Sequence, residues 1–414
     1  MSRLVLLVSL CASLPAAAED WPQWRGPNRT DVSNETGLLQ EWPTEGPKSL
    51  WTYDKGGLGY AGFSIVGERL YSMGSEEGQS FAFCLDVSTG KKVWQTNVAE
   101  EFTNRWGDGP RSTPSVDGAH VYCMFSKGTV ACLQVSDGKL VWKQSMEDYG
   151  GGAPYWGYSE SVLVDGDNVI CTPGGEQGAL LALNKKTGKK VWQSTGMQLP
   201  SQYPSTVKAT INGIPQYIQV VGEGRGKQAV VGVQASDGKV LWESAWPGRT
   251  ATIPTPIVKG NRIYISSGYG TGSQLLEIGD NNAVKEIWVN KVMKNHHGGV
   301  IEKDGFLYGY SDGRGWICQS LETGEMTWNT KKDLGKGAIG YADGRFYLVD
   351  ENSGTVVLID ADSEAWKERG RFVLEPQTKR RKPSGRIWVH PVISNGRLFL
   401  RDQEYIYCFD VKKS

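Results

Sequence analysis

The chain has almost no helical periodicity. Apolar residues spaced three and four apart over ten or more positions are hard to find in its 414 residues, which argues against a helical bundle or an alternating α/β fold. Net charge is absent as well: 45 basic residues balance 45 acidic ones, leaving no electrostatic footprint for nucleic acid or an anionic membrane. The one basic run, Lys379-Arg380-Arg381-Lys382, reads as a solvated loop. Beyond residue 18 no apolar segment is long enough to cross a bilayer, so no transmembrane anchor is expected. No Gly-X-Ser-X-Gly elbow presents a nucleophile, and no Cys-X-X-Cys-His motif could attach haem. Histidine is scarce, with four in the chain. His296 and His297 are neighbours whose side chains point to opposite faces of a strand, and His390 is far along the chain, so no metal site is expected.

What the chain has in abundance is glycine, 53 residues, and tryptophan, 16. Both follow a repeat. Gly90-Lys91-Lys92-Val93-Trp94 returns as Gly138-Lys139-Leu140-Val141-Trp142, Gly188-Lys189-Lys190-Val191-Trp192 and Gly238-Lys239-Val240-Leu241-Trp242. Weaker copies end at Trp51, Trp288, Trp328 and Trp366. These eight tryptophans lie 38 to 50 residues apart, the length of one four-stranded blade. A second phrase, an apolar strand, a tight turn and a strand bearing Tyr or Phe, also occurs eight times, as in Asp304-Gly305-Phe306-Leu307-Tyr308 and Asp343-Gly344-Arg345-Phe346-Tyr347. The expected fold is all-β: an eight-bladed β-propeller of four-stranded antiparallel blades over residues 48–414. The last unit has no Trp strand after it, while a spare one, 48–53, precedes the first, so the N-terminal strand is expected to close the ring.

Ahead of the ring, Arg3, the apolar stretch Leu4 to Leu14 and Ala16-Ala17-Ala18 have the order of an export signal over residues 1–18. Leu10 before Cys11 is not the small residue that a lipoprotein signal carries. Residues 19–47, with Trp21, Trp24 and Trp42, read as an extended arm lying over the ring. A deletion of residues 19–53 is expected to abolish folding, and one of 19–43 to be tolerated better.

The phrase Cys84-Leu85-Asp86-Val87-Ser88-Thr89-Gly90-Lys91-Lys92-Val93-Trp94 resembles the tryptophan-docking repeat of quinoprotein dehydrogenases, propellers that bind pyrroloquinoline quinone (PQQ), and of non-catalytic relatives that include BamB. The opening Trp21-Pro22-Gln23-Trp24-Arg25-Gly26-Pro27-Asn28-Arg29 is similar to the start of exported PQQ-binding-like propellers with no assigned chemistry. The resemblance implies that Trp51, Trp94, Trp142, Trp192, Trp242, Trp288, Trp328 and Trp366 dock each blade on the next. It also implies what an enzyme of the group would carry: two adjacent cysteines joined beneath the cofactor, and calcium held by Glu, Asn and Asp beside a catalytic Asp. The chain has no Cys-Cys pair, and no residue matches the calcium set. The implied function is an exported, non-catalytic binding or scaffolding module of the periplasm or cell envelope, a monomer without cofactor. Its partner would be an envelope protein or a small-molecule or glycan ligand. A PQQ- and calcium-dependent oxidoreductase of alcohols or sugars is the alternative.

Ligands of propellers bind at the central funnel. Counting back six to nine residues from each turn glycine reaches Tyr60, Arg111, Tyr158 with Glu160, Ser205 with Thr206, Thr252, His296 with His297, Lys336 and His390 as candidate funnel residues. A glycosidase would need a carboxylate pair there, and Glu160 is the one visible candidate. Four of the six cysteines past the leader (Cys84, Cys132, Cys318, Cys408) share one repeat position and are expected to be packed thiols. A two-residue turn at Lys127-Gly128 would place Cys123 directly opposite Cys132, as near neighbours without a bond.

Overall fold

The computed structural model describes residues 19–413, so the segment read as an export signal, 1–18, lies outside the described residues. Eight antiparallel sheets follow one another along the chain. Blades 1 to 7 span residues 64–100, 115–145, 163–193, 207–246, 257–290, 300–330 and 337–373. Blade 8 joins 392–410 to the N-terminal strand Lys48–Tyr53, which pairs antiparallel with Tyr405–Asp410. The ring is therefore closed by that strand, as expected. Helix among the described residues is confined to two short 3-10 turns, Met146–Tyr149 and Asp280–Asn282.

Local chemistry explains the blades. In blades 4, 6, 7 and 8 the first hairpin turns on Asn212-Gly213, Asp304-Gly305, Asp343-Gly344 and Asn395-Gly396, with positive φ at both residues. That is the turn whose twist matches the paired strands. The second and third strands of a blade are buried on both faces, whereas the fourth alternates at the rim, as in the pattern of Lys92–Glu100. The core is accordingly divided among eight apolar seams, one between each pair of adjacent blades.

The docking tryptophans clasp these seams. The indoles of Trp51, Trp94, Trp142, Trp288 and Trp328 donate to carbonyls of the following blade, Val87, Val135, Lys185, Leu321 and Asp362, at 2.9–3.0 Å. A Cβ on Gly90, Gly138, Gly188, Gly238 or Gly324 would lie 2.5–2.8 Å from the docked ring, and each of these glycines has φ between +68° and +78°. Only glycine meets both demands. Trp242 departs from the series, donating at 2.6 Å to Gln216 of its own blade. Trp366 is a correction. The position that pairs with the third strand in blade 7 is Gly370, opposite Leu358, and Trp366 lies in the turn before that strand, edge-on to Trp328. Trp42 of the N-terminal arm packs against Gly370 in place of a docking side chain.

A second correction concerns the hairpin of blade 2. Phe125 and Thr129 close a longer turn, so Tyr122 pairs with Cys132 and Cys123 with Ala131. A slip of one residue sends side chains to opposite faces. Cys123 belongs to the seam between blades 1 and 2, and Cys132 to the seam between blades 2 and 3. All six described cysteines are free and buried.

Candidate ligand cavity at the hub

The arm does not lie over the ring; its first half runs through the hub. Trp21 bridges Ile65 of blade 1, and Pro22 accepts from Val116 of blade 2. Arg29 donates to the carbonyls of Ser161, Val162 and Thr206 at the inner edges of blades 3 and 4. The Trp24 indole donates to Thr255 before blade 5, Arg25 donates to Val300 of blade 6, and Val32–Ser33 adds a parallel strand to blade 7. Asp31 accepts from Arg25 at 2.6 Å and faces His390 Nδ1, ahead of blade 8, at 3.0 Å. One segment thus touches the inner end of every blade. Burial lowers the Arg29 guanidinium to about 10, and the nearby Glu160 carboxylate opposes that shift.

Above this plug lies a cavity of about 600 Å³. Every connection from one blade to the next contributes to its wall: Tyr60, then Arg111, Ser159, Tyr203, Thr255, His297, Lys336 and Trp388 in ring order. Seven of the expected funnel residues are brought together here: Tyr60, Arg111, Ser205, His296, His297, Lys336 and His390. Tyr158 and Glu160 are corrections, and with them Thr206 and Thr252. On an extended segment alternate residues face opposite sides, and in blade 3 it is Ser159 and Ser161 that face the cavity. Tyr158 points back into the seam and donates to Pro173, while Glu160 accepts from Thr172, Thr206 and Gln219 in a buried network. Burial pushes the Glu160 carboxyl up to about 7 against the pull of these donors and of Arg29.

Charge in the cavity is one-sided. Five cationic side chains line it, against a single carboxylate, Glu351. Two of the cations are satisfied: Arg25 by Asp31, and Lys336 by Asp312 at 2.7 Å. Among the described residues, Arg105, Arg111 and Arg386 have no carboxylate partner. Arg111 is held by the carbonyls of Gly107 and Gly109 beside the rings of Tyr60 and Phe102. Burial lowers its guanidinium to about 10. Lys336 also donates to His296 Nδ1 at 2.7 Å, and burial together with that ammonium drives His296 down to about 3. His297, stacked on Trp388 at 4.6 Å, is held neutral by burial and by its neighbour His296. The two histidines do not point to opposite faces as expected: residues 295–298 form no strand, and the rings lie 3.7 Å apart in one cavity, with His296 Nε2 and His297 Nδ1 buried without a partner.

Several wall residues were not foreseen. Trp106, Trp156 and Trp388 stand outside the 38–50-residue series and in the inter-blade connections. A tryptophan out of register was the available signal. The basic run is a loop with Lys379 and Arg380 exposed, as expected, but three of its residues are ion-paired: Arg380 with Glu76, Arg381 with Asp402 and Lys382 with Asp108. These ion pairs pin the long connection between blades 7 and 8, which carries Arg386 and Trp388 over the cavity.

Residues 82–330 match the family described as outer membrane protein assembly factor BamB. The chain belongs to this family. Among solved structures, BamB from Moraxella catarrhalis is similar in fold, with a TM-score of 0.62 at 14% identity over 88% of this chain and 99% of that one. The quinohemoprotein alcohol dehydrogenase from Comamonas testosteroni aligns with a TM-score of 0.66 at 12% identity over 95% of this chain and 81% of the enzyme. A curated relative, the quinoprotein ethanol dehydrogenase of Pseudomonas aeruginosa, is 28% identical over 184 residues, 39% of this chain and 29% of that enzyme. The chain thus spans less than a third of the curated relative it matches.

The family's fold invites a test for a quinone with calcium. The donor set does not fit that pair. Calcium takes six to eight oxygen ligands rich in carboxylate, and this cavity offers Glu351 alone, already accepting from the Trp388 indole at 3.0 Å. No cysteine lines it. Among the described residues, no three His, Cys, Asp or Glu side chains are placed to hold a metal ion.

Proposed function

We propose that the protein is an exported, non-catalytic binding propeller of the cell envelope that takes an anionic small ligand into the cavity at its hub. The observation that carries this reading is the set of three guanidiniums, Arg105, Arg111 and Arg386, that face one cavity with no carboxylate partner. Arg105 is exposed, but Arg111 and Arg386 are half-buried. A half-buried cation without an ion-paired carboxylate is costly, and a bound carboxylate or sulfate would relieve it through charge-assisted hydrogen bonds. The family's description, an outer membrane assembly factor, supports the envelope setting. The alternative, an oxidoreductase, is disfavoured by the missing calcium donors. Isothermal titration with citrate and glucuronate against neutral glucose tests the reading. The anions are expected to bind and glucose not. Arg111→Met should weaken anion binding by roughly ten- to a hundredfold, the loss of one charged hydrogen-bonding partner at about 1.5–3 kcal/mol. PQQ that is retained with calcium, with alcohol or sugar oxidation, would overturn it.

A further inference from the structure

A second cavity of about 400 Å³ adjoins the first. The two share Trp156, Tyr203 and Thr250, so they adjoin there as two parts of one cleft, the second part reaching Gly222, Glu223, Gly224 and Arg225 of blade 4. The second part carries one charge of each sign, Glu223 and Arg225, and so lacks the cationic excess of the first. At the junction stands an aromatic cluster. Trp106 and Trp156 meet at 5.5 Å and 77°, Tyr155 and Trp156 at 5.0 Å and 88°, and Trp156 and Tyr203 at 5.8 Å and 60°. The Arg105 guanidinium covers Trp106 at 3.8 Å. Tyr155 is 67% exposed, unusual for a ring of its size.

We infer that the cleft binds an acidic oligosaccharide, with the anionic groups of one sugar unit among Arg105, Arg111 and Arg386 and the next units stacked along Trp156 and Tyr155 into the second cavity. The inference rests on the anion-binding reading above and extends it to a ligand class. Three features favour it. The touching rings of this cluster meet at 60–88°, so no neighbouring pair in it is parallel. A flat aromatic ligand gains most by offset stacking between parallel rings, whereas the apolar face of a sugar chair needs one ring only. The cleft has two adjoining parts, and the cationic excess lies in one of them, which suits a chain with more than one unit. Finally, Ser159, Ser205 and Thr250 offer hydroxyls along the path. Hydrolysis of the ligand is not part of the inference, since a glycosidase needs two carboxylates and Glu351 stands alone.

Titration of the full chain with five probes tests it: tetragalacturonate, a sulfated galactan tetrasaccharide, cellotetraose, monomeric galacturonate and, as a flat trianion, benzenetricarboxylate. At least one acidic tetrasaccharide should bind tenfold or more tighter than both galacturonate and cellotetraose. The tighter of the two assigns carboxylate or sulfate as the anion. Trp156→Ala should remove the preference for tetramer over monomer. Tyr155→Ala, at an exposed tip, should reduce the preference severalfold with an unchanged melting temperature. If galacturonate or benzenetricarboxylate binds as tightly as the tetramers, the oligosaccharide inference falls and the anion-binding reading stands. If no anion binds, both fall.

Discussion

At the rim, seven of the eight blades place a tryptophan at the same docking position, while at the hub a single segment of 11 residues, 21–31, meets eight different surroundings. The rim is held by apolar rings on glycine and, at five of the eight seams, by one neutral hydrogen bond. The hub is held by charge: Arg25, Arg29 and Asp31 are all buried. Two kinds of arginine sit within this centre. Arg29 and Arg401 donate to backbone carbonyls inside the protein, Arg401 to those of Ala61, Met73, Gly56, Gly57 and Gln403. Arg111 has carbonyl partners as well but opens on the cavity. The difference teaches that symmetry supplies the scaffold and that departures from it supply the site.

The largest effect expected from this contrast is at the arm. The arm's second half seals the seam between blades 7 and 8, with Leu38 and Trp42 in one cluster with Tyr347 and Leu400. Loss of a buried tryptophan alone costs about 3–5 kcal/mol. Deleting residues 19–43 therefore removes both the hub plug and the seam. It should abolish cooperative unfolding, contrary to the tolerance that an arm lying over the ring implied. A calorimetric transition within a few degrees of the intact chain would show that the rim suffices.

A smaller effect separates hub from rim by pH. The Glu160 carboxyl is raised to about 7 in the fold. A group with a raised folded pKa contributes most below its unfolded value and loses that contribution as pH rises through the folded one. Between about pH 7 and 4.5, wild type should gain on the order of 2–3 kcal/mol relative to Glu160→Gln as pH falls. His296 and His297, held neutral, act with the opposite sign in this window but are common to both proteins. Urea titrations at pH 5 and pH 8 measure the difference. Parallel pH dependence in the two proteins would mean that Arg29 keeps Glu160 ionised throughout.

The smallest effect tests the rim against itself. The Trp94 indole donates to Val135, whereas the Trp192 indole is buried with no partner. Trp94→Phe should cost about 1 kcal/mol more than Trp192→Phe, the net worth of one hydrogen bond. Equal losses in denaturant midpoint would assign the clasp to ring packing alone.

Much of the architecture was legible before any coordinates. Turn pairs such as Asp304-Gly305 and the Gly-Lys-X-X-Trp phrase act over a few residues, and repeating them eight times makes blade number and ring closure readable. Legibility ended where a single residue of register decides. The slip at Phe125 separated Cys123 from Cys132, and strand alternation turned Glu160 inward while Ser159 and Ser161 faced the cavity. Trp366 was misread because a tryptophan four residues from the docking position keeps the spacing but not the pairing.

The sequence by itself determined the all-β class, the eight repeats, the glycine beneath each of five docked rings and the strand that closes blade 8. These depend on backbone preference and on contacts that recur with a period. Tertiary structure alone decided that the arm threads the hub, that Lys379-Arg380-Arg381-Lys382 is mostly ion-paired, and that Arg105, Arg111 and Arg386 share one cavity without a carboxylate partner. Those outcomes join residues as far apart as Arg29 and Thr206, or Arg380 and Glu76. They occur once each, so no periodicity announces them, and only closing the ring brings the partners within reach.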